Sequence, residues 1–98
     1  MKATAELQVI PIGAGVSVRE EIRRVVAVLE DSGLTTQTHA SGTDLEGDLE
    51  RILETVQRVH EALHAEGTAR LVTLLKLETR TDKVPTLAGK RLCAAGAP

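Results

Sequence analysis

The chain has 98 residues, with 12 Lys and Arg against 14 Asp and Glu and a formal net charge of −2. That length suits one domain and excludes a two-lobed enzyme, an eight-stranded barrel or a full dinucleotide-binding fold. The slightly acidic balance excludes the basic surface that tracking a nucleic-acid backbone requires.

In chain order, Ala3, Ala5, Leu7 and Val9 alternate with Thr4, Glu6 and Gln8, the period of a half-buried strand, over residues 3–12. Pro11 then falls near the strand end, where a missing N–H costs least. Ser17 followed by Glu20 forms a capping box, and Val18, Ile22, Val25, Val26 and Leu29 recur at helical spacing, so a helix is predicted over about 18–31, ending before Gly33. Leu34 to Ala40 is Thr-rich and reads as a second strand. Ser41-Gly42 signals a turn, with a short third strand over Thr43 to Glu46. From Asp48 the helical period returns through Leu49, Ile52, Leu53, Val56, Val59 and Leu63, and stops at Gly67. Asp48 and Glu50 sit where acidic groups favour a helix N-terminus. Arg70 to Arg80 reads as the last strand, with Leu71, Thr73, Leu75 and Leu77 on one face. Residues from about 83 onward form a tail in which a short helix around Leu87 to Cys93 is expected.

The order β-α-β-β-α-β with short connections predicts an α+β, ferredoxin-like single domain over residues 1–98: an antiparallel sheet with two helices on one face. The helices would cover Leu7, Val9, Leu71, Leu75 and Leu77. The opposite face would carry Gln8, Ile10, Leu74, Lys76 and Glu78, mixed enough to meet a ligand or a second subunit. With no Phe, Tyr or Trp, the core is built from aliphatics alone, and burial between subunits is expected to supplement it. The lone Cys93 has no intrachain disulfide partner, which fits a reducing compartment. No apolar run reaches signal-peptide or membrane-spanning length, so a cytoplasmic location without a membrane partner is expected.

Few motifs carry chemistry. His60-Glu61-Ala62-Leu63-His64 matches H-E-x-x-H on a helix, the pattern of a zinc hydrolase, but no third His follows and no metal site is expected. Asp44, Glu46, Asp48 and Glu50 alternate without the Gly and Glu positions of a calcium loop. Gly13-Ala14-Gly15 lies between strand and helix but lacks the third Gly and the Lys of phosphate-binding loops. Lys76, Glu78 and Arg80 line one strand face. No catalytic arrangement emerges. The residues point to a candidate site near the Ser41–Gly47 turn, with Glu46 standing apart from the helix that follows.

Taken together, residues 11–18 (PIGAGVSV), 41–47 (SGTDLEG), 60–71 (HEALHAEGTARL) and 75–82 (LKLETRTD) resemble, in that order, the small YkoF-like thiamine-binding proteins. The resemblance spans roughly residues 7–82. It implies a ferredoxin-like fold, dimers pairing into tetramers, and binding of thiamine or its pyrimidine part without catalysis, the vitamin being ligand and not cofactor. It places Gly13, Gly42, Thr43, Glu46, Gly47, Lys76 and Arg80 at family positions. Ala40-Ser41, the Thr-rich second strand without an aromatic, and Thr81 depart from the family pattern. On chemical grounds Glu46 would face the thiazolium cation, and Thr43 and Thr38 would meet the pyrimidine amine. The alternative is a structural or regulatory homo-oligomer with no small ligand.

Overall fold

The computed structural model describes residues 1–13, 15 and 18–94, with side chains to residue 90. The expected Ser17 cap and the Cys93 thiol lie outside that description. Seven elements follow in order: β1 (Lys2–Ile12), α1 (Arg19–Glu30), β2 (Thr35–His39), β3 (Gly42–Asp48), α2 (Leu49–Ala65), β4 (Arg70–Thr79) and α3 (Leu87–Ala94). The sheet order is β2-β3-β1-β4 and every neighbouring pair is antiparallel, the ferredoxin-like arrangement. No helix among the described residues is long and apolar enough to cross a membrane.

β1 is the centre of this sheet. Its alternation sends Ala3, Ala5, Leu7 and Val9 beneath the two long helices, where all four are buried. Leu45 of β3 joins them, opposite Ala5. α1 contributes Val25 and Leu29, and α2 contributes Ile52, Val59 and Leu63. On α2 the buried stripe is Ile52, Thr55, Val59 and Leu63, and Leu53, expected on the core face, points outward at 49% exposure. Thr55 takes the core position because its hydroxyl donates to the Arg51 carbonyl at 2.7 Å, so burial leaves no polar atom unmatched.

The helices do not cover the whole sheet. α1 lies over β1 and β2, and α2 over β1 and β3. Leu71 and Leu75 of β4 pack at the core's margin, but Leu77, expected under the helices, is 39% exposed. β4 is an edge strand, and its far end runs beyond the reach of α2. β3 is longer than the turn signals suggest, because pairing with β1 from Leu7↔Thr43 to Lys2↔Asp48 continues it to Asp48. Asp48 does occupy the α2 N-cap position, yet its carboxylate makes no cap. It pairs instead with Lys2 at 3.1 Å, while the Leu49 N–H donates to the Met1 carbonyl.

α3 packs on the face of the sheet opposite α1 and α2. Leu87 is buried there, and its N–H donates to Glu46 Oε1 at 2.8 Å. Lys90 Nζ pairs with Glu78 at 2.8 Å. Thr86 Oγ1 accepts from the Gly89 N–H and so caps the helix start.

Two outcomes follow from this packing. Leu45→Ala should destabilise the fold by about 2–5 kcal/mol in chemical denaturation, and Leu53→Ala by about 0.5 kcal/mol or less. The Lys90 hydrogen bond holds the Glu78 carboxyl below the ordinary glutamate range. A lowered folded-state value stabilises above the unfolded value, about 4.3, and that support is lost as pH falls through the lowered value. Acidification should therefore loosen α3 first, seen as a change in the Leu87 amide resonance before the β1 amides respond.

Candidate functional site

The sequence-predicted site residues divide between the two faces of the sheet. Thr38, Gly42 and Thr43 come together. They line a cleft of about 350 Å³ between α1 and the β2–β3 turn, walled by Val9, Val18, Ile22 and Val25. Pairing of Thr38 with Thr43 across the hairpin brings the two hydroxyls to 3.3 Å. Thr43 is buried and Thr38 exposed, so the pair runs from the cleft floor toward its mouth.

Gly42 is the residue that lets this turn lie against β1. A Cβ there would stand 2.5 Å from the Leu7 carbonyl oxygen, inside any real contact distance. Gly13 leaves β1 with φ of 79°, a left-handed conformation that favours glycine, and it does not line the cleft.

Glu46 lies on the other face. It stands opposite Thr4 of β1 and Thr35 of β2, and its half-buried carboxylate is engaged by the Leu87 N–H. It is neither waving in solvent nor aimed at the threonine cleft. Lys76 also occupies this open face, in a cavity of about 440 Å³ with Thr4, Glu6, Asp44, Glu78 and Leu87. Arg80 donates from Nε to Asp82 at 2.8 Å and lines a third hollow, of about 360 Å³, beside Lys83, Pro85 and Thr86. The structure therefore brings together three of the seven named residues, and separates Glu46, Lys76, Arg80 and Gly13 from them.

The H-E-x-x-H helix has other work. His60 Nε2 lies 2.6 Å from Thr73 Oγ1 and ties α2 to β4, while His64 Nδ1 donates to the Thr68 carbonyl at 2.7 Å. Sequence reasoning missed a different grouping, Glu6, His39 and Asp44, whose ligand-type atoms lie within 4.8 Å of one another. His39 Nε2 is 3.2 Å from Asp44 and 3.6 Å from Glu6. Its Nδ1 accepts from the Ser41 N–H at 3.3 Å, which puts the proton of the neutral ring on Nε2 and directs it at the carboxylates. A proton there occupies the lone pair a metal would need. The signal for this grouping was the alternation of Asp44 with Thr43, legible only once the β1–β3 register is known.

Fold and cleft together define the class: a ferredoxin-like α+β domain whose first helix and β2–β3 turn enclose a threonine-floored slot. The chain belongs to the thiamine-binding protein family, whose model matches residues 5–92. It is similar to the UPF0045 protein sll0230 of Synechocystis, 38% identical over 90 residues, covering 92% of this chain and 74% of that one. It is also similar to the UPF0045 protein MJ1052 of Methanocaldococcus jannaschii, 36% identical over 89 residues, covering 91% of this chain and 88% of the other. The crystal structure of MJ1052 superposes with a TM-score of 0.86, covering 97% of this chain and 96% of that one. A Bacillus cereus domain of unknown function, DUF77, superposes with a TM-score of 0.83 at 26% identity, covering 92% and 86%. The family's description states binding and names no catalytic activity.

Gly42→Ala tests the geometry of the turn. Forcing a Cβ against the Leu7 carbonyl should cost about 1–3 kcal/mol in urea denaturation, whereas Ser41→Ala, at an exposed position, should stay within about 0.5 kcal/mol of the parent.

Proposed function

We propose that the protein binds thiamine, or a small molecule built on the same aminopyrimidine, without altering it chemically. The ligand sits in the cleft between α1 and the β2–β3 turn. The observation that carries this reading is the Thr38–Thr43 hydroxyl pair in a slot otherwise lined mainly by aliphatic residues, with Gln8, His39 and Ser41. A hydroxyl both donates and accepts. The pair therefore matches an aminopyrimidine, whose ring nitrogens accept and whose exocyclic amine donates. Branched side chains of α1 and β1 supply flat apolar walls in place of a stacking ring. The slot's volume lies within the range usual for small-molecule sites, roughly 300–1,000 Å³. The family match supports the same ligand class.

The thiazolium cation is treated differently from the expectation built on Glu46. Among the described residues no carboxylate lines this cleft. The cation therefore stays at the mouth, in water, and binding depends weakly on salt. Glu46 acts through the scaffold, by holding α3. Isothermal titration with thiamine tests the proposal. Thr43→Val should weaken binding roughly tenfold, the worth of one buried hydrogen bond, and Glu46→Gln should leave it nearly unchanged. No heat at millimolar thiamine with the protein folded would refute it.

A second reading, self-association, is favoured by β4. This edge strand runs ten residues without Pro and exposes Val72 at 39% and Leu74 at 54%. The opposite edge, β2, is five residues of Thr, Gln and His. A long apolar edge pairs readily with another strand, and a second copy of β4 is the partner of matching length. The parent should run as a dimer or tetramer in light scattering, and Val72→Lys with Leu74→Lys should shift it to monomer.

A further inference from the structure

The cavity under α3 belongs to neither reading above. It is built from two cross-strand rows on the face that α1 and α2 leave open. The inner row is Glu46, Thr4 and Glu78, one residue each from β3, β1 and β4. α3 lies across it, and both carboxylates of this row are matched, Glu46 by the Leu87 N–H and Glu78 by Lys90. The outer row is Asp44, Glu6 and Lys76.

In the outer row the charges are not matched to one another. Lys76 stands directly across from Glu6, yet makes no ion pair or hydrogen bond among the described residues. Glu6 and Asp44 turn the other way and share the single Nε2 of His39. The Lys76 ammonium, in no ion pair of its own though its charge also acts on Glu78, therefore lines the same cavity as two carboxylates that share His39. Independently, Thr4 lines the same cavity at 2% exposure, and its hydroxyl has no partner among the described residues. A hydroxyl both donates and accepts, so this one can take a partner from a molecule in the cavity. Side-chain polar atoms fully sealed in the interior all have partners among the described residues, so the Thr4 oxygen keeps an opening onto the cavity.

We propose that this cavity binds a small zwitterion of the ω-amino acid class. Its ammonium lies between Glu6 and Asp44, its carboxylate meets Lys76, and Thr4 hydrogen-bonds it from the floor. Leu87 flanks its methylene chain. The outer row sets the length. Adjacent strands lie about 4.8 Å apart, so opposite charges on neighbouring strands suit a ligand whose own charges are separated by a few methylenes. A simple amine leaves Lys76 unanswered, and a simple carboxylate leaves Glu6 and Asp44 unanswered, so each half-ligand meets a like charge.

Calorimetric titration of the full chain with γ-aminobutyrate tests the proposal, with n-butylamine and butyrate as half-ligands. γ-Aminobutyrate should bind at least tenfold more tightly than either half. Lys76→Gln, an exposed change that keeps the fold, should weaken it roughly tenfold to a hundredfold, the range of a charge-assisted contact. Thr4→Val should weaken it less, with circular dichroism confirming the sheet. Thiamine binding to the Lys76→Gln variant should match the parent, which separates this site from the threonine cleft. Absence of heat from γ-aminobutyrate, equal binding by n-butylamine, or unchanged affinity in Lys76→Gln overturns the proposal.

Discussion

The pairing of β1 with β3 decides which side of the sheet each polar group faces. Leu7 stands opposite Thr43, and Glu6 opposite Asp44. A slip of one residue would exchange Thr43 with Asp44, placing a carboxylate under the helices and a hydroxyl on the open face. Both cavities would be lost together. Two glycines guard the register. At Gly42 a Cβ would strike the Leu7 carbonyl, and at Gly47 it would stand 2.5 Å from Leu34 Cδ2. At the Gly42 end the obstacle is backbone and cannot give way, whereas at Gly47 it is the tip of the Leu34 side chain.

An aromatic-free core shapes the rest. Ala3 and Ala5 are small, so α2 sits close above β1, and Leu45, Ile52, Val59 and Leu63 fill the space between. Aliphatics of this size bury about 1.5–3 kcal/mol each, and two helices of modest width cannot cover four strands. β4 is therefore left with an apolar face and an unpaired edge. The same shortage of bulky groups accompanies the slot beside α1, whose lining includes the Val and Ile branches of Val9, Val18, Ile22 and Val25.

Glu46 illustrates how a carboxylate close in sequence to the threonine cleft serves the opposite face of the sheet. On β3 it alternates with Leu45, which is fully buried beneath the helices, so it must emerge on the other face. There it meets the start of α3, where backbone N–H groups and the helix dipole favour negative charge. Lys90, one turn further, answers Glu78 in the same way. Two carboxylates from β3 and β4 thus fasten one helix, and that helix buries Thr4. In the outer row, one pair of residues along the strands, Glu6 and Asp44 share His39 while Lys76 makes no ion pair among the described residues.

Local periodicity was enough for the element order, the strand faces of β1 and the ferredoxin-like arrangement, because alternation and helical spacing are properties of neighbouring residues; the resemblance to a thiamine-binding family rested instead on particular motifs such as residues 41–47 and 75–82. That Thr38, Gly42 and Thr43 lie together follows from a single hairpin, which joins residues close in the chain. Glu46, Lys76 and Arg80 were not separable from them by sequence, because which face a residue takes depends on the register between strands far apart in the chain. The outward turn of Leu53, the exposed end of β4 at Leu77 and the docking of α3 onto Glu46 were likewise settled only by packing, where the width of two helices and the position of distant partners determine what is covered.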